Sequence, residues 1–280
     1  MSAPPAASWE GRPIEEWRLA WGLPRLVAYD VVESTNDAAR ALAEAGAPPG
    51  TTVLADHQER GRGQHGRSWH AAPGRAVLLS VVLRPRSGPD RSPGVLPIRV
   101  GLAAARALED ATGVRAGLKW PNDLVVDGGK LAGILCEGAM AGGDFFVVAG
   151  IGVNVLQGRG EFPPGLAPAP VSLAMLRPGT GPLSRPAVAG AIARELAAFG
   201  PDAARPLSHA ELREFAARDI LRDRSVSLDG ALLGQAAGLA PDGALLVDTA
   251  SGRVLIRGGT IRPMEESLSS VAPRFRDPRP

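Results

Sequence analysis

Lysine is nearly missing from this chain. Its 280 residues carry 31 formal cations, yet only Lys119 and Lys130 are lysines and the rest are arginine. Lysine normally ranks among the commonest residues. Its scarcity implies coding pressure that writes arginine wherever any surface cation will serve. A surviving lysine then marks a place where a rigid guanidinium fork cannot replace a compact ammonium. Cysteine occurs once, as Cys136, which excludes a disulfide framework and fits a reducing, cytoplasmic location. No run of about 20 apolar residues exists, so no transmembrane helix and no membrane association are expected. The opening residues 1–17 lack a basic stretch followed by an apolar one, so no secretory signal is expected. The net charge of +2 is too small for an electrostatic footprint on DNA.

What is present suits a globular enzyme. The hydrophobic content of 45% and the length allow one large domain or one with a small partner. Residues 1–24 form a Pro/Ala-rich extension in which Trp9, Ile14, Trp17 and Trp21 could pack a short helix onto the body. Residues 25–220 read as an α+β domain with one mixed sheet and helices covering a face. Strands are expected at 26–32, 51–56, 76–83, 114–120, 123–126, 131–136 and 145–153. Helices are expected after Ser34, over 96–112, 186–199 and 208–218. From 221 to 264, four short strands separated by Asp-Gly and Ser-Gly turns suggest a small all-β barrel. Residues 265–280 read as a disordered tail.

Four segments carry chemistry. Residues 61–69, Gly-Arg-Gly-Gln-His-Gly-Arg-Ser-Trp, combine glycines that permit close backbone approach with forked donors for phosphate or carboxylate at Arg62 and Arg67. A flexible basic hairpin would look the same by composition. Residues 119–123, Lys-Trp-Pro-Asn-Asp, place a cation, an amide and a carboxylate around a turn, although Asn and Asp also favour ordinary turns. Lys130 opens an apolar strand with Gly133 three residues on, where it is either a plain strand-end cation or a neutraliser of an acyl phosphate. Gly150 and Gly152 sit inside a strand that ends at Asn154, which argues for close approach by a ligand or another backbone. His57, His65 and His70 cluster in sequence without carboxylate or thiol companions, so no protein-only metal site is expected. His57 is expected to pack near the pocket, and Cys136 reads as a small core hydrophobe.

In this order and spacing the segments resemble the biotin–protein ligase family, over roughly residues 25–262. The resemblance rests on G-R-G-x-x-G-R-x-W at 61–69, K-W-P-N-D at 119–123, G-x-K-L-A-G-I-L at 128–135 and G-I-x-V-N at 150–154. It implies a class II synthetase-like catalytic domain with a C-terminal SH3-like barrel. It also implies ATP-dependent conversion of biotin to biotinoyl-5′-adenylate, with Mg2+ accompanying ATP, and transfer to a lysine of a biotin carboxyl carrier protein. By position, Ser34, Thr35, Asn36 and Gln58 are expected around the biotin ureido ring. Arg62, Gly63 and Gln64 are expected at the biotin carboxylate and phosphate, and Gly133, Leu135, Gly150 and Gly152 along the apolar biotin slot. Arg67, Trp69, Lys119, Asn122, Asp123 and Asn154 are expected around the adenylate, with Lys130 touching both carboxyl and phosphate. The expected catalytic groups are Lys130, Arg62 and Asp123, and residues 60–73 form a water-excluding lid.

Two departures stand out. Gln64 occupies a position where the family often has arginine, which implies a lid that retains the adenylate less well. Gly258-Gly259-Thr260 replaces the usual Gly-Glu pattern near the barrel's end. Only 24 residues precede the first expected strand, so an operator-binding winged helix and DNA as a partner are not expected. An exposed sheet edge could support a homodimer. Two rival readings remain: a lipoate or octanoate ligase or transferase of related fold, which would promote Cys136 to nucleophile, and a non-catalytic biotin-binding sensor.

Overall fold

The computed structural model describes residues 4–86, 88, 91–177 and 183–264; the tail expected at 265–280 lies outside the described residues. Near the N-terminus β1 (Ser8–Trp9) and β2 (Arg12–Pro13) pair as a hairpin that leads into α1 (Ile14–Trp21). That helix stops where Gly22 takes φ +65 and returns its N–H to the last turn. Trp9, Trp17 and Trp21 pack together with ring centroids 5.3–6.4 Å apart.

The central layer follows as β3 (Leu26–Val32), α2 (Thr35–Glu44), β4 (Thr52–Gln58), β5 (Ala76–Leu83), α3 (Leu96–Thr112), β6 (Gly117–Lys119), β7 (Asp123–Val126), β8 (Gly129–Ala141) and β9 (Asp144–Asn154). These strands form one seven-stranded sheet in the order β3-β4-β5-β9-β8-β7-β6. Only β3 and β4 are parallel, so the sheet is mixed. All eight residues of β5 are buried, which explains why its sequence is a continuous apolar run rather than an alternating one. Helices cover both faces, unequally. Alternate residues such as Leu54, Leu79 and Val81 face the large core under α3 and α5 (Arg185–Ala197). Val53, Ala55 and Val82 face a smaller core under α2, with Phe146 and Val148.

The hairpin of β8 and β9 is longer than its sequence suggests. Glu137 and Gly138 are poor strand formers, and the expected strand stopped at Cys136. The ladder with β9 nevertheless runs on to Ala141, because cross-strand pairing outweighs intrinsic propensity. Pairing with β7 ends at Gly133, so the far half of β8 projects beyond its neighbour.

After the short α4 (Leu173–Leu176), then α5 and α6 (His209–Ala216), the chain enters a separate antiparallel sheet. Its strands are β10 (Ser225–Leu228), β11 (Ala231–Leu239), β12 (Leu245–Thr249), β13 (Gly252–Ile256) and β14 (Ile261–Pro263), in the order β13-β12-β11-β10-β14. This is consistent with an SH3-like domain carrying one strand more than its sequence pattern suggested. It plugs onto the body through the turn at 241–243. Trp120 Nε1 donates to Gly243 O at 2.9 Å, Ser92 Oγ to Asp242 O at 2.9 Å, and Leu207 N to Pro241 O at 2.6 Å. Trp120 of the Lys-Trp-Pro-Asn-Asp segment is therefore a domain anchor. Among the described residues, no helix is long and apolar enough to cross a membrane.

Candidate active site

One cavity of about 150 Å³ collects seventeen of the eighteen expected site residues, all except Lys119. Its polar end is set by the start of α2. Ser34 caps that helix, its Oγ accepting from Asn36 N. Thr35 donates through N and Oγ1 to Gln58 Oε1 at 2.8 and 2.9 Å. Ser80 on β5 lies directly opposite Gly150 in the sheet. Its Oγ stands 2.7 Å from Thr35 Oγ1 and 2.6 Å from Asn36 Oδ1. Asn36 Nδ2 donates to Glu137 Oε2 at 2.6 Å and to Leu135 O at 3.3 Å. Ser34, Thr35, Asn36 and Ser80 are all buried, so this is a pre-formed hydrogen-bonding cluster.

The glycines make room for side chains of the site itself. A Cβ on Gly150 would stand 2.1 Å from Asn36 Oδ1. A Cβ on Gly152 would stand 2.4 Å from Trp69 Cε2, and one on Gly133 would stand 3.0 Å from Trp69 Cζ3. The Trp69 ring therefore lies across the paired glycines of β8 and β9. Its Nε1 is buried without a hydrogen-bond partner, a donor left over for a ligand. Lys130 Nζ lies 5.8 Å from the ring centroid.

Lys130 and Asp123 form the charged centre. Their closest atoms are 2.6 Å apart, off the angle of a hydrogen bond. Lys119 Nζ lies 3.9 Å from the other Asp123 oxygen. It sits behind the cavity wall, in a small cleft with Pro97, Ile98 and Phe215. Burial lowers the Lys119 pKa from the usual lysine value; Asp123 opposes that shift, and Lys130, Arg67 and Arg262 add to it. The two asparagines serve the framework. Asn122 Nδ2 donates to Ile134 O at 2.7 Å, and Asn154 Nδ2 donates to Lys130 O and Val171 O.

The lid at 61–69 is a small hairpin. Gly63 N donates to Arg67 O, Arg67 N to Gln64 O, and Trp69 N to Gly61 O. His65 and Gly66 turn its tip at φ +56 and +71. Arg62 makes a bidentate pair with Asp37 at 2.6 and 2.8 Å and reaches Glu137 Oε2 at 3.1 Å. His57 lies outside the cavity and tethers the lid's return, its Nδ1 3.3 Å from Ala71 O. Cys136 also lies outside it. Burial, then the neighbouring Glu137 carboxylate, pushes its thiol up to about 12, so it stays protonated and unreactive. Among the described residues no group of three or more His, Cys, Asp or Glu could hold a metal ion.

Sequence reasoning missed the wall formed by Phe162, Leu166, Ala167, Pro168 and Pro170. Their Pro- and Gly-rich sequence carries no strand or helix period. The Lys130 backbone holds them in place, its N donating to Ala169 O and its O accepting from Val171 N.

A sequence profile of the Biotin/lipoate A/B protein ligase family matches residues 28–154. The bifunctional ligase/repressor BirA of Bacillus spizizenii is 34% identical over 235 residues, covering 81% of this chain and 70% of that protein. The biotin--[acetyl-CoA-carboxylase] ligase of Mycobacterium tuberculosis is 38% identical over 169 residues, 59% of this chain and 60% of the relative. Across three curated relatives the chain spans 46% to 70% of their length. The biotin protein ligase of Aquifex aeolicus, solved with biotin and ATP, superposes with a TM-score of 0.69 at 26% identity, covering 86% of this chain and all of that one. Identity at that level, spread over most of the chain and joined to the same fold, reflects common descent, and the chain belongs to the biotin–protein ligase family.

Proposed function

We propose that this chain activates biotin with ATP to biotinoyl-5′-adenylate and transfers the biotinoyl group to a lysine of a biotin carboxyl carrier protein. The observation that carries the reading is the shared cavity. A buried amide-and-hydroxyl cluster closes one end, Lys130 and Asp123 stand at the charged centre, and a glycine- and arginine-bearing hairpin covers them. A cyclic urea needs donors for its carbonyl and acceptors for its N–H groups, which Ser34, Thr35, Asn36 and Gln58 supply. The names of two relatives support the same chemistry: one is bound to biotin and ATP, and another acts on acetyl-CoA carboxylase.

In the first step a biotin carboxylate oxygen bonds to the α-phosphorus as the bond to the β-phosphate breaks and pyrophosphate leaves. Two anions must meet, so Lys130 and Arg62 act by offsetting their repulsion where charge develops. Asp123 is the one carboxylate among the described cavity residues, and its Oδ1 stands 2.6 Å from Lys130 Nζ, so it would hold that ammonium in place. Mg2+ brought in with ATP would screen the triphosphate. In the second step a neutral lysine amine of the carrier attacks the acyl carbon, AMP leaves, and the amine's surplus proton passes to an acceptor. Asp123 fills that role or positions the amine. Trp69 and the lid exclude water between the steps.

The octanoyl-transferase reading needs a thiolate in the cavity, and Cys136 is neither ionised nor a cavity residue. Biotin-dependent ATP–pyrophosphate exchange tests the proposal, with lipoate and octanoate as control acids and a carrier domain as final acceptor. Exchange with biotin and labelling of the carrier are expected. Exchange with lipoate alone, or biotin binding without exchange, would overturn it.

A further inference from the structure

Glu137 belongs to none of the positions assigned above and does not line the cavity, yet its carboxylate touches both ends of the site. Oε2 accepts from Asn36 Nδ2 at 2.6 Å, and the same oxygen accepts from the Arg62 guanidinium at 3.1 Å. Its side chain is only 25% exposed. We propose that Glu137 is a positioning residue that couples biotin recognition at Asn36 to the state of the lid at Arg62; the proposal rests on the biotin-ligase reading.

The physical case has two parts. First, an ionised carboxylate only accepts hydrogen bonds. The Asn36 amide must therefore turn its NH2 toward Glu137, leaving Oδ1 to face Ser80 and the space above Gly150. Without an acceptor at this position the amide has weaker grounds for one orientation over its flip, and a urea would meet a mixture of donors and acceptors. Second, Arg62 is held at rest by Asp37 and Glu137, so an anionic substrate must compete with both carboxylates for it. When Arg62 moves to the substrate, Oε2 has one donor fewer and its bond to Asn36 strengthens, because two donors sharing one acceptor oxygen weaken each other. Lid engagement and ureido recognition thus share one oxygen atom.

Two substitutions separate these parts. Glu137→Gln keeps an acceptor for Asn36 but removes the charge that holds Arg62. Glu137→Ala removes both. Each is tested by biotin KM and kcat in pyrophosphate exchange and by the rate of adenylate release after a single turnover. Glu137→Gln is expected to leave the biotin KM near native while changing adenylate release. Glu137→Ala should also raise the biotin KM about tenfold, the loss expected of one hydrogen bond to a charged group. A residue needed only for folding would lower the melting temperature and move both variants alike. If the two variants match each other in KM, or if neither differs from native in release, the coupling is wrong. Glu137→Gln is near-isosteric, so the release measurement stands even if Glu137→Ala fails to fold. Absence of exchange in the native chain would instead remove the biotin-ligase reading.

Discussion

The cavity floor is built from β8 and β9, whose ladder runs unbroken from Ala132 opposite Val153 to Ala141 opposite Asp144, whereas the lid is closed on itself by three backbone hydrogen bonds. On the floor the key feature is the lack of side chains. Gly133, Gly150 and Gly152 leave volume that Asn36 and Trp69 then fill. On the lid the key feature is charge, carried by Arg62 and Arg67 on largely exposed positions. Around Gly133, Gly150 and Gly152 the strands are paired on both edges and cannot yield to an added methyl group, while a small hairpin can shift as a body. Floor substitutions should therefore act on binding and chemistry outright, and lid substitutions on how long an intermediate is retained.

The largest expected effect is on the floor's charge. Lys130→Arg preserves the cation but places a planar fork where Asp123, Trp69 and Gly133 leave room for a compact head. Adenylation should fall by about a hundredfold or more, as when a positioned transition-state donor is lost. Near-native pyrophosphate exchange in that variant would remove the claim that lysine survives here because guanidinium cannot serve. Next comes Gly150→Ala. Its Cβ would meet Asn36, which Ser80, Leu135 and Glu137 hold from three sides. Overpacking of about 1–3 kcal/mol corresponds to a rise in biotin KM of about five- to 150-fold. An unchanged KM would show that the floor yields as easily as the lid.

Lys119→Arg separates the two lysines. Lys119 does not line the cavity, and its ammonium faces the Asp123 carboxylate from outside it. The bulkier head in a tight cleft should lower the melting temperature by a few degrees, with a smaller loss of exchange activity than Lys130→Arg. A loss as large as that of Lys130→Arg would mean Lys119 touches substrate after all.

The core elements behind the floor were more legible in the sequence than the floor hairpin itself, whose β8 runs to Ala141 and not to Cys136. The helix expected at 96–112 and the strands at 26–32 and 76–83 match the structure residue for residue, since each carries enough apolar residues to set its period. The strand β14 has three residues and pairs only with β10, too little pattern to read. Ser80 was invisible because a lone hydroxyl in an apolar run looks like noise. Only the register that sets it opposite Gly150 brings it to Asn36. Glu137 was missed for the same reason, its role being fixed by residues about a hundred positions away. Lys119 was expected around the adenylate because it opens the Lys-Trp-Pro-Asn-Asp segment that resembles the family's. Yet β6 is the outermost strand of the sheet, and its end turns that lysine toward α3 and α6.

The smallest expected effect tests the lid. Gln64 lines the cavity, and its backbone O accepts from both Arg67 N and Arg67 Nε. Gln64→Arg adds a cation to a hairpin that must close over a phosphate anion. At a largely solvated site such a charge contributes about 0.2–1 kcal/mol, so release of biotinoyl-adenylate should slow by no more than several-fold in single-turnover assays. Biotin KM should hardly move, because among the described residues no hydrogen bond joins the Gln64 side chain to the amide-and-hydroxyl cluster. An unchanged release rate would show that lid charge does not control retention. A large rise in biotin KM would show that lid and floor are not separable, and would strengthen the case that the Glu137 oxygen shared by Arg62 and Asn36 ties them together.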